Sequence, residues 1–480
     1  MIQVSDGELA RSLLKLEKLE VEDIRPENTT RYFLHIKKGD GVYDPNQVAG
    51  RVFEFISRKK LKSNFNNVSF KAAALKKINS QLTSDSVIPA IEAMYFSEKD
   101  TTSDQNKENN HSNQDDKSNS LTQISPEFLL LSAKNMSRQS RSNKLAEIFT
   151  AFLAGGAQNA DEIQDPPLDF IQAQIRKTLV DEFLEEAQES PHFNVSTEPY
   201  LPFLAEAFQK DIAFLIRRPR LLLSQLPKVI SLYTFLYGAQ LALNIRNWQD
   251  GQPSPKPLYF ILESEKASQE RLDIVERGYK RLEIQYRHVF PTLVILEYLI
   301  DRLERSDRRP PLWRYAHAIK SYENPAELQR AIRNLYVCFV SKRSLSLPEE
   351  ARTDPCQLLD ELIQKTYNMF QDKEKFSGQV RQNRQTFEKF RDTAARPFIQ
   401  QRGQLGRTLV VNHDNLLLLT NLAIGEQPDL SFQNLLAELQ SRGIYFDRQS
   451  EPELIKIYER IGNIERMSDT GNAVKIRKSL

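Results

Sequence analysis

Two cysteines, Cys338 and Cys356, are all that the 480 residues contain. They build no disulfide framework and no cysteine-based metal site, and they fit a reducing compartment such as the cytoplasm. Glycine is scarce, at 16 residues. A chain so poor in glycine and rich in Leu, Glu, Lys, Arg and Gln favours helices over turn-rich β folds. Histidine is scarcer still. His35, His111, His192, His288, His317 and His413 stand apart, with no HExxH, no CxxC and no pair at helical spacing, so no zinc site is expected. The chain has no P-loop, and Gly39-Asp40-Gly41 and Gly403-Gln404-Leu405-Gly406 are too sparse to cradle phosphate. Neither sign of charge is in excess, with 66 Lys and Arg against 64 Asp and Glu. Any argument for nucleic acid must therefore be local. The start, MIQVSDGELARSLLKLEKLE, lacks a basic segment followed by an apolar run, so no signal peptide is expected.

Long uncharged runs are missing too, with one exception. Val229–Ile245 carries no charge over 17 residues, the lower limit for a bilayer span. It nevertheless holds Ser231, Thr234, Gln240 and Asn244. Tyr233, Tyr237, Gln240 and Asn244 follow 4-3-4 spacing and share one helical face, opposite Phe235, Ala239 and Ala242. Lipid would give such a polar stripe nothing to bond. The run is read as a buried helix of a protein core, with a single membrane anchor as the alternative.

What is present divides the chain into four parts. Residues 1–96 form a mainly helical N-terminal region. Leu9, Leu13 and Leu16 mark an opening amphipathic helix, and Asp44-Pro45 starts the next. Between Arg31 and Lys77 stand eleven Lys or Arg against three Asp or Glu, interleaved with Phe53, Phe55, Phe65 and Phe70. A solvated face over an aromatic core explains this better than a nucleic-acid face. Residues 97–126 are low in complexity and nearly devoid of apolar side chains, which predicts a disordered linker. Residues 127–402 read as a central helical domain. Helices are expected over Glu127–Leu153, Leu168–Ala187, Tyr200–Arg217 and Ser264–Tyr298, the last interrupted at Pro291. Residues 403–480 change character. An apolar helix over Leu409–Leu422, a helix capped by Ser431, a third over Leu454–Ile461 and a terminal hairpin follow the order of a winged helix. The expected fold class is mainly α: a multi-helix domain followed by a C-terminal winged-helix-like domain with a small β-hairpin.

Two basic sets are candidates for nucleic-acid contact. In 371–402, Arg381, Arg384 and Arg391 line up with Glu388, opposite Phe387, Phe390 and Ala394, a pattern that suits phosphate contact and equally an ordinary surface helix. On the hairpin, the wing would present Arg466, Lys475, Arg477 and Lys478. Winged helices bind DNA or hold partner proteins. Nine basic residues against ten acidic ones in 403–480 give no strong positive field, and both roles stay open. No catalytic group emerges. His413-Asp414 is a lone pair at a helix start, with Asp414 read as a cap. In YFILESEK (Tyr259–Lys266) the place of the lysine that a metal nuclease wants is taken by Glu265, two after Glu263. No cofactor and no metal are expected.

The stretches TEPYLPFLAEAFQKDIAFLIRRPRLLLSQLPKVISLYTFLYGAQLAL and RGIYFDRQSEPELIKIYERIGNIERMSDTGNAVKIRK carry a resemblance. From about Thr197 to the C-terminus the chain resembles the G component of the bacterial DNA phosphorothioation-dependent restriction system, the DptG or DndG family. The resemblance implies a non-catalytic subunit of an antiphage restriction complex. It would act as a scaffold between the two other, ATP-driven components, with double-stranded DNA as a further candidate partner and no membrane. It brings no active-site residues. A metal-dependent nuclease and a membrane-associated adaptor are the alternative readings.

Overall fold

The structure is a computed structural model. It describes residues 4–25, 43–82, 85–96, 122–134, 136–137, 140–154, 162–187, 198–265, 272–303, 309–347, 353–466 and 474–479. The glycine-poor composition gives what it predicts: 67% of the described residues are helical, with small sheets concentrated toward the C-terminus.

The N-terminal part holds α1 (Asp6–Leu14), α2 (Pro45–Ser57), α3 (Asn67–Asn79), α4 (Ile88–Phe96), α5 (Leu129–Ser132), α6 (Arg141–Ala154) and α7 (Phe170–Thr178). Strands β1 (Lys59–Leu61) and β2 (Leu184–Glu186) pair antiparallel among them. Asp44 caps α2 by accepting from the Asn46 amide, with Pro45 at the first position, where a missing N–H costs nothing. The linker expected over 97–126 lies outside the described residues up to 121. Its two flanks meet: Thr122 donates from its backbone to the Tyr95 carbonyl (3.2 Å) and from its hydroxyl to that of Met94 (3.1 Å). Of the basic run between Arg31 and Lys77, residues 31–42 also lie outside.

The middle of the chain contributes α8 (Pro202–Ile216), α9 (Pro219–Asn244), β3 (Leu258–Leu262), α10 (Leu272–Val275), α11 (Arg281–Tyr286), α12 (Val289–Ile300), α13 (Leu312–Lys320), α14 (Pro325–Lys342), α15 (Pro355–Met369) and α16 (Ser377–Asp392). The uncharged run is the second half of α9, and it is core. Every residue of α9 from Val229 onward except Ser231 is buried. Its polar stripe is satisfied sideways: Tyr233 donates to Asp211 on α8 (2.5 Å), Gln240 bonds both backbone groups of Lys256 (2.9 Å each), and Asn244 donates to the Gln240 carbonyl (2.9 Å). Among the described residues no helix is long and apolar enough to cross a membrane. Gly238 sits where any Cβ would collide with the Phe390 ring, so its absence lets α16 press Phe390 onto α9.

The last part is β4 (Ile399–Gln401), β5 (Arg407–Val411), α17 (His413–Ile424), β6 (Asp429–Ser431), α18 (Phe432–Gln440), β7 (Ile444–Phe446), α19 (Ser450–Arg460), β8 (Ile464–Arg466) and β9 (Val474–Arg477). One sheet runs β4-β5-β3-β7, with β3 parallel to both β5 and β7. A second, antiparallel sheet runs β6-β9-β8. Strand β3 thus comes from before residue 402, and both of its neighbours come from after it. One apolar core continues from Val4 to Ile476.

Several expected helices are corrected. Glu127–Leu153 is split, with α5 and α6 separated at 133–140. The break expected at Pro291 falls earlier, because Pro291 lies in the first turn of α12, where its lacking N–H is tolerated. Leu168–Ala187 yields to β2 at Leu184. Leu409–Val411 is strand, not helix, and α17 starts after Asn412. That residue, rather than Asp414, is the cap, accepting from the Asn415 amide (2.8 Å). The β-branched run Thr408, Val410, Val411 prefers the pleated, buried position it occupies.

Candidate functional site

The terminal hairpin forms as expected. β8 and β9 pair with Glu465 opposite Lys475, and β9 also takes β6 on its other side. The charge on it is answered from within. Lys475 Nζ lies 3.2 Å from Asp429 on β6, and the Arg477 guanidinium lies 2.5 Å from Glu465 on β8. Lys478 turns inward: its Nζ donates to the Gly425 carbonyl (2.8 Å) and stands 5.7 Å from the centre of the Phe214 ring. Burial, followed by the nearby Arg218, holds the Lys478 amine below the usual lysine range. The side chain of Arg466 lies outside the described residues.

On α16 the aromatic stripe is core. Phe387 and Phe390 are buried, and Phe390 stacks on Tyr286 with ring centres 4.6 Å apart. Arg381 and Arg384 are exposed, with Arg384 3.5 Å from Glu388. Arg391 does not join them, because its guanidinium bonds Asp392 at 2.6 and 2.9 Å and is only 20% exposed. That pairing leads the effects that raise its pKa. Among the described residues no ion pair or hydrogen bond joins the α16 arginines to the hairpin. The seven candidate residues therefore do not make one surface network.

The C-terminal segment is clamped to the middle of the chain by two charged seams. Arg442, after α18, is 2% exposed and places its guanidinium 2.7 Å from Asp211, which is fully buried. Tyr233 holds the other oxygen of the same carboxylate, and Arg442 also bonds the Glu438 carboxylate (3.1 Å). The following Gly443, at φ +83°, passes so close to Gln240 that a Cβ there would collide with its amide. Nearer the surface, Arg218 grips Glu426 at 2.9 and 2.8 Å, and that pairing keeps the Glu426 carboxyl below its ordinary range.

A cleft of about 250 Å³ opens at the carboxyl ends of the parallel strands β3 and β5. Its lining includes Leu262 and Val411, which end the two strands, with Leu416 of α17, Ile457 of α19 and Ile461. Glu263, Ser264, His413 and Arg460 complete it, all four of them exposed. Glu263 is fixed at three points: its amide donates to the Val411 carbonyl (3.1 Å), its carbonyl accepts from Arg402 (2.9 Å), and its carboxylate accepts from Gln400 (3.0 Å). Glu265 points elsewhere. It is buried, accepting from the Leu262 amide (2.8 Å) and the Ser450 hydroxyl (3.1 Å), and so ties the end of β3 to the start of α19. The acidic strand end and the lone histidine, read separately in the sequence, are thus neighbours. Arg460 and Ser264 were missed. The signal was the run TLVVNHDN, a buried strand passing through an Asn cap into a helix, which sets His413 at a strand-to-helix turn. Among the described residues no group of three or more His, Cys, Asp or Glu is placed to hold a metal ion. No protein-family model matches the chain, and a search of curated proteins gives no match.

Proposed function

We propose that this protein is a non-catalytic subunit of a DNA phosphorothioation-dependent restriction complex, and that it works as a scaffold for its partner subunits rather than as their main DNA contact. The observation that carries the scaffold role is α4. Its sequence, IPAIEAMYF, is almost wholly apolar, yet only Phe96 is fully buried, with Ile88, Ile91 and Tyr95 partly buried against the core. Met94 is 66% exposed there, and Val68 on the adjoining α3 is 73% exposed. Lys71 pairs with Glu92 across these two helices, and Phe70 meets Phe96, so the two helices that carry these apolar side chains are braced together. An apolar helix face left in water is characteristic of a protein-binding surface. The occupant proposed is a surface of one of the two ATP-driven components that the resemblance implies.

The hairpin supports the same division of labour. Lys475, Arg477 and Lys478 already have partners in their own chain, and a phosphate would have to displace them. Arg381 and Arg384 are exposed, Arg384 beside Glu388 at 3.5 Å, and they could make a weak, sequence-independent contact with double-stranded DNA. The test is co-purification of the chain with the two other components. Complex formation is expected, and Val68→Glu with Met94→Glu is expected to release at least one partner while the melting temperature holds. A double variant that assembles as completely as the parent removes α4 from the proposal, and a parent chain that elutes alone removes the scaffold.

A further inference from the structure

The cleft at the ends of β3 and β5 differs from the other polar clusters in that three of its four polar side chains are unengaged among the described residues. Neither the Ser264 hydroxyl, the His413 imidazole nor the Arg460 guanidinium makes a hydrogen bond or ion pair with another described residue. They stand around an apolar floor of Leu262, Val411, Leu416, Ile457 and Ile461. On the hairpin and along the two seams the cations are answered by acids or carbonyls. Here a guanidinium and an imidazole are left beside an apolar floor in which Leu262, Val411 and Leu416 are buried and Ile457 and Ile461 are partly exposed, and small-molecule sites likewise pair an apolar lining with a few polar groups that orient the ligand. The place in the fold agrees. The cleft lies at the carboxyl ends of two parallel strands, β3 and β5, and ligands of parallel sheets sit outside the carboxyl ends of the strands.

The chemistry of the lining limits what fits. A guanidinium matches the paired oxygens of a phosphate, and the imidazole and the Ser264 hydroxyl supply further hydrogen-bonding groups that the phosphate's remaining oxygens can use. The floor takes a flat apolar body, and the volume of about 250 Å³ admits one ring system. Glu263, held in place by Gln400, Arg402 and the Val411 carbonyl, offers an acceptor to N–H groups on the edge of that body. We infer that this cleft binds a nucleoside monophosphate unit, with its base on the aliphatic floor, an amino edge toward Glu263, and its phosphate between Arg460 and His413 with the Ser264 hydroxyl as a further donor. Such a site goes beyond the scaffold role and does not depend on it. The same unit comes from two sources, a free mononucleotide or the phosphorylated end of a DNA strand.

The test is calorimetric titration of the full chain, without partners, with deoxyadenosine monophosphate, a 5′-phosphorylated oligonucleotide, the same oligonucleotide without its phosphate, and leucine. Binding of a phosphorylated probe is expected, weakened at least tenfold by Arg460→Gln and by Ile461→Asp and unchanged by Arg381→Gln. Melting curves establish that the variants are folded. Tighter binding of the phosphorylated strand than of the free nucleotide assigns the site to DNA ends, and the reverse assigns it to a soluble nucleotide; both support the inference. It is overturned if no phosphorylated probe binds, if leucine binds in their place, if the unphosphorylated strand binds as well as the phosphorylated one, or if Arg381→Gln weakens binding as much as Arg460→Gln. Because no partner subunit is present, failure here leaves the scaffold proposal standing, and failure of assembly leaves this one standing.

Discussion

The hairpin lies within residues 403–480 and the cleft where that segment meets the end of β3, and the two handle charge in opposite ways. On the hairpin, Lys475, Arg477 and Lys478 are each engaged by the chain itself, at 3.2, 2.5 and 2.8 Å. Around the cleft, Arg460, His413 and Ser264 make no such bond with another described residue and surround an aliphatic floor in which Ile457 and Ile461 are partly exposed. Counting basic residues favours the hairpin as the functional surface. Asking which basic residues have no partner among the described residues favours the cleft. A cation held by an acid on a neighbouring strand has less field to offer a ligand and must give up a bond to reach one. The Arg442–Asp211 seam is the limiting case of an answered charge: fully buried, unavailable to any ligand, and devoted to holding the segment in place.

The largest effect is expected at that seam. Arg442→Ala would leave the Asp211 carboxylate buried with only Tyr233 to answer it, and should cost about 3–5 kcal/mol of stability. Urea denaturation monitored by circular dichroism reads this directly. Replacing both partners, Arg442→Met with Asp211→Leu, should cost less than Arg442→Ala alone, because no charge is then stranded. A drop below about 1 kcal/mol for Arg442→Ala would mean that water reaches the seam, and the contrast between buried and surface charge would collapse.

A second test adds a charge to the interior instead of removing one. His288 is 7% exposed and stacks on Tyr367 with ring centres 3.9 Å apart. Burial, helped by the neighbouring Arg246, pushes its pKa down to about 4. An unfolded chain takes up that proton near pH 6.5. The folded state therefore keeps its full advantage above about pH 6.5 and loses it as the pH falls toward 4, because the unfolded state then binds the proton that the folded state refuses. The loss is at most about 3 kcal/mol, from roughly 2.5 pH units at 1.36 kcal/mol each. His288→Phe should flatten this part of the stability profile, measured as the urea midpoint at pH 7 and pH 5. An identical slope in both proteins would place the acid sensitivity elsewhere.

The sequence made some of this legible and hid the rest for identifiable reasons. The buried nature of Val229–Ile245 could be read because side chains that need hydrogen bonds recur on one face of a helix, and the structure supplies those bonds from Asp211 and Lys256. Caps at Asp44 and Ser431 were readable because they act within two and three residues. The parallel sheet was not. β3 finds β5 and β7 across well over a hundred residues, and no local pattern encodes that pairing. Without it Leu409–Val411 reads as the start of a helix, and Glu263 and His413 read as unrelated. The pairing of the hairpin cations was equally hidden, since Asp429 meets Lys475 only through β6. A basic stripe is visible in a sequence, whereas its neutralisation depends on which strand lies beside it.

The smallest effect is expected on the hairpin, and it bears most directly on the contrast. Lys475→Glu with Arg477→Glu reverses two charges that would dominate binding if the hairpin were the DNA contact. Removing a cation that neutralises a phosphate flattens the salt dependence by close to one unit in the slope of log affinity against log salt. Because both side chains are already engaged by Asp429 and Glu465, the expected outcome is smaller: duplex affinity changed less than about threefold at roughly 150 mM salt and a slope changed by less than about one. Stability should fall by no more than about 1 kcal/mol per exposed pair. Fluorescence anisotropy at two salt concentrations decides the point. A hundredfold weaker affinity, on the order of two decades, with a slope reduced by about two would show that DNA outcompetes the internal acids, and the hairpin would become the DNA-binding element while the cleft kept only its claim on a nucleotide.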